Sequence, residues 1–141
     1  MEIRIAKPED TDQILALQTQ IYRTEKIADG AKEALEKQMS DETCEVLVAV
    51  DSGKIISTCA IYYIEVPVRN RPYAFLEGLV VDESARGHGV GTKMFDKILE
   101  LARARNCYKI IFTSGADRTD AHKLYEKLGF KKWGLEFRMD L

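Results

Sequence analysis

Three of the nine glycines fall within Arg86-Gly87-His88-Gly89-Val90-Gly91, followed by Thr92. Glycine admits positive φ and close approach of the backbone to a ligand, and the unpaired N–H groups opening a helix attract anions. Arg86 adds a permanent guanidinium at the mouth of the loop, suited to phosphate oxygens. The segment reads as a phosphate or pyrophosphate cradle; the plainer alternative is a strand-to-helix turn without a ligand. Upstream, Glu77 and Gly78 interrupt the apolar string Phe75-Leu76-Glu77-Gly78-Leu79-Val80-Val81. A carboxylate there is a candidate general base, against the alternative of a strand glutamate paired with an arginine. Regular pleating places positions 77, 79 and 81 on one face, and a bulge at Gly78 would shift that register. Tyr125 is a candidate acid, because a phenol with a pKa of ~10 can supply a proton to a more acidic leaving group; a core tyrosine is the other reading.

Two familiar phosphate loops do not fit. A Walker A loop starting at Gly87 would need glycine where Thr92 stands, and Gly91 is followed by Thr92 rather than lysine. A dinucleotide fingerprint needs G-x-G-x-x-G, whereas Gly87, Gly89 and Gly91 alternate. His88 reads as a variable loop position and His122 as a solvent-facing or locally capping residue. Cys44, Cys59 and Cys107 are odd in number and set in apolar strings, which suits buried thiols in a reducing compartment better than a disulfide framework. No Cys/His pair has metal-ligand spacing, so no metal is expected.

A chain of 141 residues has room for one domain over residues 1–141. With 21 Lys plus Arg against 23 Asp plus Glu, it lacks the basic field that binding a nucleic-acid backbone requires. No apolar run approaches the ~20 residues of a membrane span, and the first residues lack the pattern of a signal peptide. A cytoplasmic protein without nucleic-acid or membrane partners is expected.

The elements that must position these residues follow from periodicity. A strand is predicted over residues 3–6, a helix opening at Pro8-Glu9-Asp10, and a second helix over 31–39. Strands over 44–50 and 54–66 flank turn residues Asp51-Ser52-Gly53, and a loop over 67–72 leads to a strand over 73–81. The longest helix is predicted over 89–106, then a strand over 107–113 parallel to 73–81, a helix over 120–128 stopped by Gly129, and strand-like segments over 130–141. This order gives an α/β or α+β domain with one central mixed sheet.

Arg86-Gly87-His88-Gly89-Val90-Gly91 resembles the R/Q-x-x-G-x-G/A signature of the GCN5-related N-acetyltransferase (GNAT) superfamily. Ala121-His122-Lys123-Leu124-Tyr125-Glu126-Lys127-Leu128-Gly129-Phe130 resembles that family's second landmark, and the element order agrees from end to end. The resemblance implies a GNAT-like fold in which two parallel strands splay apart, with helices on both sides. It implies acetyl-CoA as cosubstrate, held by Leu79, Val80 and Val81 along the backbone and by Arg86, Gly87, His88, Gly89, Val90, Gly91 and Thr92 at the pyrophosphate. The Leu79 N–H would polarise the thioester carbonyl, Glu77 would serve as base directly or through water, and Tyr125 as acid toward the thiolate. The family's frequent Asn near the second landmark is Arg118 here, with Ser114 and Asp117 as substitutes.

The activity so implied is direct acetyl transfer to a primary amine of a small molecule. A protein or peptide N-acetyltransferase and a non-catalytic acyl-CoA sensor are the alternatives. Tyr22, Glu33, Tyr62, Tyr63, Arg69 and Arg71 fall where the family contacts its acceptor, and Cys107-Tyr108-Lys109-Ile110-Ile111 is similar to a segment of glucosamine-6-phosphate N-acetyltransferases, in which case Arg69 or Arg71 would meet a sugar phosphate. The resemblance leaves open a homodimer paired through the C-terminal strand.

Overall fold

Near-continuous runs of buried, largely β-branched and apolar residues make Cys44–Asp51 (β2) and Lys54–Val66 (β3) the centre of a sheet in the computed structural model. Ser52 and Gly53, with φ of 50° and 80°, form the tight turn between them, the left-handed pair that matches the twist of a two-residue hairpin. Glu2–Ile5 (β1) pairs with β2, and Arg71–Val81 (β4) pairs with β3, all antiparallel. Ile110–Ile111 (β5) adds a parallel edge to β4, giving the order β1-β2-β3-β4-β5. The structure describes residues 1–141, which divide into the units Met1–Ile111 and Phe112–Leu141.

In the first unit, Thr11–Tyr22 (α1) and Ala31–Met39 (α2) cover one face of the sheet. Ile14, Leu17 and Leu35 pack there with Cys44, Val46, Val48, Ile55, Ala60 and Val80. Val90–Ala104 (α3) contributes Met94, Phe95 and Ile98, all fully buried, to a further part of the core. Burying each such side chain is worth about 2 kcal/mol. Asp10 fastens β1 to the start of α1: its carboxylate accepts 2.6 and 3.0 Å bonds from the Arg4 guanidinium and a 2.7 Å bond from the Lys7 N–H. The Arg4 hydrogen bond, with the Lys7 N–H adding to it, holds the Asp10 carboxyl below the usual range.

The second unit contains Thr119–Lys127 (α4), ended by Leu128 and by Gly129 at φ +96°. Phe112 stacks edge-on against Tyr125 at 4.7 Å and against Phe130 at 5.1 Å.

The mixed sheet and its flanking helices agree with the expected fold, and three boundaries need correction. β4 begins at Arg71 rather than at 73: Pro72 lacks an N–H but pairs with Glu65, and its carbonyl accepts from the Tyr108 N–H, a position near a strand's start where proline is tolerated. The strand expected over 107–113 shrinks to β5: it starts late because the Cys107 N–H turns back to the Ala102 carbonyl to finish α3, and its pairing to β4 ends at Ile111. Residues 130–141 form no strand. Alternation alone does not make one, since a strand exists only where a neighbour takes up its backbone polar groups.

Candidate functional site

β4 carries the site because of one irregularity. Across β3, Ala60 faces Glu77 and Thr58 faces Val80, so Cys59 is opposed by an extra residue and β4 bulges at Gly78 and Leu79. Gly78 takes φ +65°, which a residue with a Cβ adopts only under strain. Before the bulge, the Ala74 N–H donates to Lys109 of the strand approach to β5; after it, the Asp82 N–H donates to Ile56 on the β3 side. Backbone groups alternate along a strand, so the bulge turns the N–H groups of Leu79 and Val81 away from β3. β5 pairs only at Ala74 and Phe75. Beyond Phe75 this edge of β4 therefore has no strand beside it, and the two N–H groups face an open edge.

The bulge shifts the side-chain register away from regular pleating, the alternative that Gly78 raised in the sequence. Glu77 shares a face with Val80, the face covered by α1, rather than with Leu79 and Val81. The Tyr22 hydroxyl, at the last position of α1, donates a 2.7 Å hydrogen bond to Glu77 Oε1. Val80 is turned inward: its side chain is buried and its carbonyl accepts a 2.7 Å bond from Ser57 Oγ. Of the three consecutive residues expected to hold a cosubstrate through their backbones, it is the one that the bulge removes from the open edge.

Val81 leads into the glycine loop. The Asp82 carboxylate accepts from Ser84 Oγ and N–H at 2.6 and 2.9 Å and meets Lys54 at 3.3 Å; these bonds, the Ser84 hydroxyl foremost, hold its carboxyl down to about 2. Arg86 folds back so that Nε donates 3.0 Å to the Val81 carbonyl, which sets its guanidinium along the open edge. Gly87 and Gly89 have φ of 79° and 78°, and a Cβ on either would meet open space. Gly89 is the N-cap of α3 and offers no side-chain cap, so the first-turn N–H groups of Val90, Gly91 and Thr92 face outward as an anion site. His88 is exposed in the loop, and the Val90 side chain is buried as an anchor.

Tyr125, on α4, belongs to the second unit. In the same unit His122 Nε2 lies 3.1 Å from Ser114 Oγ, a local polar contact of the kind expected for this histidine; it occupies the serine considered as a substitute for the missing asparagine. Arg118 is the N-cap of α4 and makes no side-chain cap bond.

The residues grouped as acceptor contacts converge only in part: Tyr62 faces the Tyr22–Glu77 pair, while Tyr63, Arg69 and Arg71 are engaged elsewhere. Tyr62 bonds Gln38, while Tyr63 bonds Glu45 and carries the Arg105 guanidinium 4.5 Å over its ring. Arg71 is committed to the carbonyls of Asn106 and Cys107, and Arg69 lies 4.5 Å over the Tyr108 ring. Arg71 opens β4 and Arg69 lies in the turn just before it, with Arg71 some 20 Å along the strand from Glu77 at the usual rise. Only Tyr22 of that group reaches Glu77. Sequence reasoning named Tyr22 among the acceptor contacts and Glu77 as base but missed their pairing, because 55 residues separate them. The Cys107 thiol is pushed up by burial and half-buried, so it behaves as a packing residue.

A model described as "Acetyltransferase (GNAT) family" matches residues 11–130. The chain belongs to this family. It is 37% identical over 71 residues to a glucosamine 6-phosphate N-acetyltransferase from Trypanosoma brucei brucei, covering 50% of this chain and 46% of that one. It is 29% identical over 112 residues to human N-acetyltransferase 8B, covering 74% and 49%. The chain thus spans less than half the length of these curated relatives. A putative acetyltransferase from Agrobacterium tumefaciens is similar in structure along the whole of both chains, with a TM-score of 0.91 and 26% identity. No helix is long and apolar enough to cross a membrane.

Proposed function

We propose that the protein transfers an acetyl group from acetyl-CoA to a primary amine of a small molecule, as a single catalytic domain over residues 1–141. The observation that carries this reading is the bulge at Gly78, which presents the Leu79 and Val81 N–H groups on an open strand edge that ends at the glycine loop. Two donors at that spacing suit the amide-rich arm of coenzyme A. The loop and the first turn of α3 suit its pyrophosphate, with Arg86 alongside.

In the proposed reaction the neutral amine nitrogen attacks the thioester carbon. The Leu79 N–H stabilises the developing oxyanion, a contribution of about 3 kcal/mol for a well-placed donor. Glu77 takes the amine proton, directly or through one water, the carbon–sulfur bond breaks, and Tyr125 delivers a proton to the thiolate. The products are the N-acetylated amine and free coenzyme A.

For the acceptor we propose an amino sugar or other small amine; the similarity to a glucosamine 6-phosphate N-acetyltransferase over half the chain supports testing that sugar phosphate first. The commitment of Arg69 and Arg71 at the far end of β4 removes the arginines that a phosphate would have met. We further propose a cytoplasmic location and a homodimer. The latter rests on residues 131–141, where Trp133, Leu135, Phe137 and Met139 alternate with polar residues or glycine and are each more than 80% exposed, a strand-like apolar row that a second copy would cover.

The test is titration with acetyl-CoA, followed by thiol release across amino sugars, polyamines, aminoglycosides, amino acids and peptides. Micromolar binding with amine-dependent release is expected. Release with peptides alone would favour the protein acetyltransferase, binding without any release the sensor, and no binding would overturn the reading of the loop.

A further inference from the structure

We infer that Tyr22 is the positioning residue for Glu77: its hydroxyl fixes one carboxylate oxygen so that the other is presented to the incoming amine or its water. The inference rests on the proposed role of Glu77 as base and adds a residue that the two family landmarks do not contain.

The geometry supports it at three points. First, the Tyr22 hydroxyl donates to Glu77 Oε1 at 2.7 Å, and Glu77 Oε2 accepts nothing from the protein. A carboxylate held by one oxygen keeps a lone pair of the other free in a fixed direction. Second, α1 is built to hold the ring there. Arg23 takes φ 51° and its N–H caps Thr19, which ends the helix directly after Tyr22. Gln20, one half-turn earlier, accepts a 3.3 Å bond from the Glu83 N–H and ties the same helix end to the turn after β4. Third, the Tyr22 oxygen lies 2.9 Å from where a Cβ on Gly78 would be, so glycine at the bulge gives the phenol its place as well as giving the backbone its φ.

The phenol remains a donor at working pH. Burial first, and then the hydrogen bond to the Glu77 carboxylate, push it well above the ordinary tyrosine range. The other titratable groups facing the pair come from β3: the Tyr62 phenol, which bonds Gln38, and the Cys59 thiol, which burial pushes up and keeps neutral. Neither supplies a charge that would replace the Tyr22 hydrogen bond. Tyr22 itself is 51% exposed, so the pair is not sealed from solvent.

The experiment compares full-length Tyr22→Phe, Glu77→Gln and the double variant with the parent protein. It reads thiol release against pH with glucosamine 6-phosphate or whichever amine in the panel above reacts fastest, together with the acetyl-CoA dissociation constant. The phenylalanine keeps the ring and removes only the donor, and circular dichroism checks the fold. Loss of a hydrogen bond to a carboxylate should lower kcat by about tenfold and move the acidic limb of the kcat/KM profile upward by about one pH unit. The acetyl-CoA constant should stay within about twofold, and Tyr22→Phe should change the rate little when Glu77 is already Gln, because the two residues act as a unit. An unmoved acidic limb, or an equal loss in the Glu77→Gln background, would overturn the positioning role. Retention of the parent rate and profile by Glu77→Gln alone would instead overturn the base assignment.

Discussion

The oxygen of Tyr22 lies 2.9 Å from the position a Cβ on Gly78 would take, although the two residues sit on different elements and 56 positions apart. One missing methyl group thus serves a backbone bulge and a side-chain hydrogen bond together. Gly78→Ala should strain the φ of +65° and displace the phenol. We expect the melting temperature to fall by several degrees, reflecting about 1–2 kcal/mol, and turnover by about tenfold or more. A variant that keeps full turnover would show that neither the bulge nor the phenol position matters to the reaction.

Tyr125→Phe keeps the ring packed on Phe112 and removes the proposed proton donor. Turnover should drop by about 10- to 100-fold, the usual scale for a general acid, with acetyl-CoA affinity nearly intact. Isothermal titration and steady-state rates separate the two quantities. Unchanged turnover would remove Tyr125 as the acid.

Arg86 reaches back to the Val81 carbonyl through Nε, leaving its terminal nitrogens for an anion. Arg86→Ala should weaken acetyl-CoA binding by about tenfold and lower its salt dependence. Binding of dephosphorylated pantetheine fragments, which carry no pyrophosphate, should change much less. If the acetyl-CoA constant does not move, the phosphate role is wrong.

Asp10 is 5% exposed and accepts three hydrogen bonds. Its folded pKa lies below the unfolded value near ~3.9, so the stabilisation is complete above about pH 5 and is lost as pH falls through the folded value. Asp10→Asn should cost about 2 kcal/mol at neutral pH and flatten this part of the acid dependence. Urea denaturation at pH 7 and pH 3 measures both; an equal cost at the two pH values would contradict the charge-based account.

Trp133 and Phe137 are 92% and 93% exposed. Aromatic side chains bury about 150–250 Å² each, so reciprocal covering of the row could approach the ~1,600 Å² of a standard interface. The parent protein should run as a dimer by light scattering and the Trp133→Ser/Phe137→Ser variant as a monomer. A monomeric parent at micromolar concentration would remove the homodimer.

The sequence by itself was enough for the family and for the order of elements as far as α4, but not for the absence of a strand after it. The helix over 31–39 and the hairpin around Ser52-Gly53 rest on local periodicity and turn chemistry, which act over a few residues. The glycine loop was legible for the same reason: positive φ at Gly87 and Gly89 is a property of those residues, and an uncapped helix start follows directly after them. What the tertiary structure decided was everything set by pairing across the sheet. The register at Cys59 fixes where β4 bulges, and so turns Leu79 and Val81 outward, Val80 inward and Glu77 toward α1. The overlap with β5 ends at Phe75 and Ile111, which leaves the edge of β4 beyond Phe75 without a paired strand. Tyr22 meets Glu77 only because α1 stops at Arg23 above the bulge, a contact that no local pattern encodes.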